Sequence, residues 1–442
     1  MIFSGEQKRA FDIYRKGENM FLSGPGGVGK SCLIRQIYHD AVDKKVKVRV
    51  AALTGCAAIL LGCKARTIHS FAGIGLGTGT IQENVAKVKK NLGKCSTWRA
   101  TQLLIIDEVS MMSKKLLEIL DAIGKSVKKN DLPFGGIQVI FSGDFFQIRP
   151  VGDNKNPDTS AFCFESPLWN QIFKKENQIK LTQIFRQKDP VYTDILNAIR
   201  EGRLNQSHID VMKQYVRKPE TASEIKPTKL FPTRRQVDFI NHQELAKLSP
   251  EDEQNYTLEE NLDLPMTAKE MKERTKFNAD EIKRELDYLR KNILCNEEIK
   301  LRKGTQVMCI VNKETTDKTS YLCNGSQGII KGFELDTKFP IVKFYNGLEQ
   351  TMLPHIWASE TIPGIGISQV PLIICHAVSI HKVQGATLDT AEIDVGRNIF
   401  ECGQTYVALS RVKSLEGLFL SEFDPSKIFV DERVVAFYKN LN

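Results

Sequence analysis

The chain has 442 residues, 41% of them hydrophobic and 26% charged, with a formal net charge of +9. That length is too great for one compact core and suits two to four domains of an ordinary soluble globular protein. Lysine and arginine are spread along the chain rather than massed in a tail, which is compatible with an anionic partner without identifying one.

In chain order, short apolar runs alternate with helical stretches. The first half holds "NMFLSG", "VKVRVAALT", "QLLIIDE" and "IQVIFSGD", a pattern that predicts a parallel sheet covered by helices on both faces. Each run ends at a Thr, Gly, Asp or Glu, and ligands of such sheets gather at the carboxyl ends of the strands. A second series, "TKLFPTRR", "LIICHAVSIHKVQG", "AEIDVG" and "EGLFLSEF", predicts a second α/β unit. Between the two series, "KEMKERTKFNADEIKRELDYLRKNI" places Ile282, Leu286, Leu289 and Ile293 at helical spacing, which predicts a solvated amphipathic helix. From Thr305 to Pro354 the texture changes to short strand-like runs broken at Asn324-Gly325 and Asn346-Gly347, and a small all-β insertion, a barrel, is expected. The ten cysteines contain no C-x-x-C pair, so buried thiols are expected rather than a zinc site or disulfides. No apolar run is long enough to span a bilayer, and "MIFSGEQKRAFDIYRKG" has no signal-peptide centre. An intracellular protein is expected, whether nuclear, mitochondrial, bacterial or viral.

"GPGGVGKS" fits G-x-x-x-x-G-K-[ST] at Gly24, Gly29, Lys30 and Ser31, after a strand-like run and at the head of a helical one. Its backbone N–H groups suit nucleotide phosphates, Lys30 should reach the β and γ phosphates, and Ser31 should ligate magnesium. Such a loop serves switches, kinases, pumps and motors alike. "LLIIDEVS" ends a buried strand in Asp107-Glu108, where one carboxylate can hold magnesium and the other polarise water, which favours an ATPase. "FSGDFFQIRPV" should bring Asp144 and Gln147 to the same sheet edge, Gln147 toward the γ-phosphate or the attacking water. Arg186 in "LTQIFRQ" and Arg411 in "YVALSRV" are candidate arginine fingers, each worth roughly three to five orders of magnitude in rate if so placed. "SIHKVQGATLD" offers His381, Lys382, Gln384, Gly385 and Thr387 at a strand-to-helix junction, and "TGCAA" and "TIHSFAGIG" suit contacts to a phosphate chain without specifying DNA.

Taken together, "SGEQ", "GPGGVGKS", "TGCAA", "TIHSFAGIGLG", "IIDEVSMM", "PFGGIQVIFSGDFFQIRPV", "LTQIFRQ", "SIHKVQGATLD" and "YVALSRV", spanning residues 4 to 412, resemble the Pif (petite integration frequency) family of DNA helicases, in the 5′-to-3′ branch of helicase superfamily one. The resemblance implies an α/β fold of two RecA-like parallel-sheet domains. The first would cover 1–185, with a wedge region at about 77–94, and the second 186–300 and 371–442. An SH3-like β-barrel would be inserted at 301–370. It implies ATP and Mg2+ as cofactors, with Gln7 reading adenine and Gly24, Gly26, Gly27, Val28, Gly29, Lys30, Ser31, Asp107 and Gly385 around the nucleotide. It assigns metal binding to Ser31 and Asp107, and catalysis to Lys30, Glu108, Gln147, Arg186 and Arg411. Thr54, Gly55, His69, Ser70, Phe71, His381, Gln384 and Thr387 carry over as DNA contacts. The implied partners are single-stranded DNA and tailed or forked duplexes, with guanine quadruplexes and RNA–DNA hybrids as further candidates, and a monomer is expected. Departures are Arg149, where the family has proline, and Lys125 and Lys128, where it commonly has arginine, which bears on DNA affinity. Since the motifs run nearly end to end, recruitment elements are expected to be absent or to lie outside the chain. A RecD-like helicase, disfavoured by "TIHSFAGIG", and a P-loop ATPase switch that binds DNA without unwinding it stand as alternatives.

Overall fold

The computed structural model describes residues 3–152, 156–187, 189–219, 224–314, 321–359, 361–396, 399 and 401–441. It forms two compact units. The first comprises Met1–Leu204, Glu401–Tyr406 and Ile428–Asn442, the second Asn205–Phe400 and Val407–Lys427.

The first unit is built on strands β1 (Met20–Ser23), β2 (Val48–Ala52), β3 (Arg66–Thr67), β4 (Leu103–Asp107), β5 (Gln138–Gly143) and β6 (Gln178–Lys180). They form one sheet in the order β3-β2-β4-β5-β1-β6, and every pairing is parallel. Alternation along the strands feeds two cores. Phe21, Leu104, Ile106, Val139 and Phe141 enter one, and Met20, Leu22, Leu103, Ile105 and Ile140 the other. This is why β4 is apolar up to Asp107, with Leu103 to Ile106 all at 0% exposure. The register pairs Ser23 with Gly143 and Ala52 with Asp107, so the loops that follow these strands share one edge of the sheet. The helix Glu432–Lys439 also packs here, its Phe437 ring 4.4 Å from Phe164 and 5.3 Å from Phe145.

In the second unit, Ala377–Ser379, Thr228–Phe231, Ala391–Val395 and Leu418–Phe423 form a four-stranded parallel sheet in that spatial order. The β-rich stretch is an antiparallel sheet of Glu349–Thr351, Pro340–Phe344, Gln327–Phe333, Gln306–Cys309 and Leu372–Ile374. The expected turn at Asn346-Gly347 joins two of these strands, with Gly347 at φ +84°. The segment expected as one amphipathic helix is two, Ala268–Arg274 and Ala279–Asn292, because Asn278 starts the second with a capping box to Glu281. Leu286 and Leu289 of the second helix are buried.

The compact units cut the chain elsewhere than at residue 185. The helix Pro190–Arg200 and residues 428–441 join the first unit because Arg200 and Tyr438 are buried against the loop that follows β5. The antiparallel sheet likewise draws on Leu372–Ile374, beyond residue 370. All ten cysteines are free thiols, half of them buried. Among the described residues no helix is long and apolar enough to cross a membrane.

Candidate functional site

The loop between β1 and the helix Lys30–Asp43 needs its glycines for steric reasons. Gly24, Gly27 and Gly29 have φ of +147°, +86° and +83°. A Cβ on Gly24 would stand 2.4 Å from the Leu181 carbonyl oxygen, and one on Gly27 2.6 Å from the Arg186 Cβ. Gly29 caps the helix without a side-chain acceptor, so the first N–H groups and the positive end of the helix dipole are directed at whatever the loop holds. The Lys30 ammonium donates to the carbonyls of Gly24 (2.7 Å) and Pro25 (3.0 Å). Burial pushes its pKa below the ordinary lysine value against the pull of Asp144, Glu108 and Asp107. Gln7 reaches the same loop. Ser4 and Gln7 form a capping box at the start of the helix Gly5–Arg15, and the Gln7 amide donates to the Val28 carbonyl at 3.3 Å.

Strand β4 delivers Asp107 to the sheet edge. Burial holds its carboxyl above the usual range, and Lys30 acts in the opposite sense. Glu108 follows at φ +58°, a left-handed conformation that costs a non-glycine residue about 1 kcal/mol or more. Arg186 is half-buried beside Gly27. Burial lowers its pKa, and Tyr406 and Glu108 work against that. Lys30, Asp107, Glu108 and Arg186, distant in sequence, therefore surround one loop.

Asp144 is at the expected edge, but its carboxylate is committed to Arg200, which donates to it from Nε (2.8 Å) and Nη2 (2.7 Å). The guanidinium lies 4.5 Å from the centre of the Phe146 ring. Burial opposes the charge on Arg200, but Asp144 outweighs it and holds the pKa above the ordinary arginine value. Gln147 is buried, its backbone N–H bonded to the Asp144 carbonyl at 2.9 Å.

The motif residues expected at DNA divide between the units. In the first, Thr54 caps the helix Gly55–Leu61, accepting from the Ala57 N–H at 3.2 Å. Thr67 caps Ile68–Ala72 through the Ser70 N–H, and the Ser70 carbonyl accepts from the Lys94 ammonium. His69 is half-buried, and burial lowers its pKa. Phe71, expected among the DNA contacts, is 5% exposed, its ring centre 4.8 Å from that of Trp98, so its ring supports the motif from within the core. Lys125 and Lys128 are also engaged within the protein, Lys125 on Asp121 at 2.7 Å and Lys128 on the carbonyls of Arg99 and Thr101 at 2.8 Å. In the second unit, His381 is exposed and Gln384 and Thr387 half-buried in the turns after Ala377–Ser379, with Gly385 at φ +85°. Arg411, 2% exposed, donates from Nε to the Val407 carbonyl (2.9 Å) and from Nη2 to the Ser410 hydroxyl (2.8 Å).

Three residues escaped the sequence reading. Arg200 closes the apolar "ILNAIR" face of its helix and is buried. Tyr438 donates or accepts at Ser23 Oγ (2.5 Å) and accepts from the Phe145 N–H (3.2 Å). Tyr406 accepts from the Gly26 N–H at 2.9 Å, and the signal was present, since it opens "YVALSRV".

For an absent nucleotide and its metal, the glycine cradle that a Cβ would fill and the lysine head group inside it fit a triphosphate. Among the described residues no group of three or more His, Cys, Asp or Glu side chains could hold a metal ion. Ser31 and Asp107 nevertheless fit Mg2+, which keeps several waters and binds through one or two protein oxygens plus phosphates.

A family model described as PIF1-like helicase matches residues 2–209. The chain is 35% identical to the ATP-dependent DNA helicase PIF1 of Emericella nidulans over 497 residues, an alignment that covers all of this chain and 63% of the relative, so the chain spans somewhat under two thirds of that protein's length. It is 34% identical to the solved Pif1 helicase of Candida albicans, with a TM-score of 0.73 and full coverage of both chains. The Pif1 of a Bacteroides species, solved with ADP-AlF4, is 27% identical with a TM-score of 0.80, covering 99% of this chain and 97% of that one. The same Bacteroides protein bound to single-stranded DNA matches with a TM-score of 0.64.

Proposed function

The chain belongs to the PIF1-like helicase family, and from that premise we propose that it is an ATP-dependent DNA helicase that moves 5′ to 3′ on single-stranded DNA and unwinds duplex or structured DNA. The observation that carries the reading is the convergence of Lys30, Asp107, Glu108 and Arg186 on one glycine-shaped loop, a set suited to turnover rather than to binding alone.

In this reading the loop N–H groups and Lys30 hold the phosphates, and Gln7 faces the adenine. Ser31 and Asp107 would hold Mg2+, which supplies charge neutralisation at the transferred phosphoryl group. Glu108, at the left-handed turn after the strand, takes the proton of the attacking water. Arg186 stabilises the charge that develops on the phosphoryl group and Gln147 completes the set in the first unit, while Arg411 is the finger candidate that the second unit carries. The single strand is held by Thr54, Gly55, His69, Ser70, His381, Gln384 and Thr387, with Phe71 buttressing the motif. The antiparallel sheet is read as the SH3-like barrel, and the segment at 77–94 as the wedge. Backbone phosphate contacts dominate, so binding tolerates sequence and weakens steeply with salt. The protein works as a monomer on tailed or forked duplexes, and quadruplexes and RNA–DNA hybrids are the further substrates to assay.

The test is strand displacement from duplexes with a 5′ or a 3′ single-stranded tail, with ATP and with a non-hydrolysable analogue. Unwinding of the 5′-tailed form with ATP alone is expected. Preference for the 3′ tail would overturn the polarity, and ATP turnover without displacement would leave the non-unwinding switch as the better account.

A further inference from the structure

The peptide unit between Pro25 and Gly26 is held from both sides. Its carbonyl accepts from the Lys30 ammonium at 3.0 Å, and its N–H donates to the Tyr406 hydroxyl at 2.9 Å. Tyr406 is buried, and the segment that carries it is seated on the loop after β5. Gly403, at φ +80°, lies so close to that loop that a Cβ there would stand 2.7 Å from the carbonyl oxygens of Phe146 and Gln147. A residue more than 370 positions along the chain thus occupies a phosphate-loop donor. Gly26 lies three residues before Gly29, where the helix starts and whose neighbours suit a β-phosphate. Its N–H lies farther from the helix, beside the lysine head group that serves the outer phosphates.

Resting on the reading above, we propose that Tyr406 is a positioning residue that sets the preference of the loop between nucleoside triphosphate and diphosphate: its hydroxyl holds the Gly26 N–H until an oxygen of the third phosphate takes that N–H over. Lys30 leaves the Pro25 carbonyl in the same event, so both restraints on this peptide are exchanged for contacts to one terminal phosphate. A diphosphate reaches the helix N-terminus without disturbing Tyr406. The wild-type protein therefore spends part of its triphosphate affinity on breaking the Tyr406 bond, a cost that a diphosphate does not meet. Removing the hydroxyl alone, with the ring left in its packing, releases Gly26 and favours the triphosphate.

Equilibrium binding of ADP and of a non-hydrolysable ATP analogue, each with Mg2+, to the wild type and to Tyr406→Phe tests this. Loss of one neutral hydrogen bond should tighten the triphosphate by about three- to tenfold and change ADP less than about twofold. Gly403→Ala, which lifts the segment without altering the hydroxyl, should shift the ratio in the same direction. An unchanged ratio, equal tightening of both nucleotides, or weaker triphosphate binding in Tyr406→Phe overturns the role of Tyr406 and leaves the helicase reading intact. A wild-type protein that binds neither nucleotide overturns both.

Discussion

Removing the charge of Arg200 should be among the most damaging single changes in the first unit. Arg200 is 1% and Asp144 0% exposed, and the two are joined by a fork of bonds at 2.7 and 2.8 Å. Arg200→Met keeps most of the stem's volume but leaves the Asp144 carboxylate buried without its partner, for which about 3–5 kcal/mol is the usual cost. Loss of the guanidinium from the face of the Phe146 ring, 4.5 Å away, adds about 1 kcal/mol. For a unit of this size each kcal/mol lowers the unfolding temperature by about 2–4 °C, so a fall of roughly 8 to 24 °C is expected in the transition of the first unit. The double variant Asp144→Asn, Arg200→Met removes the stranded charge and should recover more than half of the loss. A single variant that costs under about 1 kcal/mol, or a double variant that falls by the sum of the singles, would refute the claim that the two groups act as a buried pair.

Lys30→Ala should reduce DNA-stimulated ATP turnover by at least about a hundredfold while single-stranded DNA binding, measured by anisotropy, changes little, because different residues hold the strand. Gly27→Ala places a methyl against the Arg186 Cβ at a positive φ, and weaker nucleotide binding with an altered Arg186 position is expected by calorimetry and crystallography; affinity equal to the wild type would refute the steric argument. The His376 imidazole accepts from the Gln306 N–H at 3.2 Å, and burial holds its pKa down to about 4. The unfolded chain therefore takes up this proton first as pH falls, so the contribution is whole above about pH 6.5 and is lost between there and about pH 4, by at most roughly 3 kcal/mol. In a pH series of denaturant midpoints, His376→Asn should flatten that slope.

The parallel sheet of the first unit was legible because its central strands are buried on both faces and therefore apolar without interruption, as "LLII" before Asp107 shows. The phosphate loop was legible because its glycines answer to local backbone geometry. Arg200 and Tyr438 were not, since a residue's value there depends on a partner some 56 or 294 positions away and leaves no local pattern. The packing of Phe71 was not legible, because an aromatic in a polar, glycine-containing motif has the same composition whether its ring points to solvent or to Trp98. The single long helix was misjudged because the apolar spacing at 282 to 293, which belongs to the second helix alone, was extended back past the Asn278–Glu281 capping box that starts it.

The first unit is finished by residues 428–441, more than two hundred positions after its main segment ends at Leu204. At about 5–20 residues per second of ribosomal synthesis, the nascent domain waits roughly 10 to 45 seconds for Phe437 and Tyr438. Throughout that interval the rings of Phe21, Phe145, Phe164 and Trp169 lack their covering helix, a sticky patch that invites a chaperone or a neighbouring nascent chain. Translation speed through the second unit thereby becomes a determinant of yield for the first.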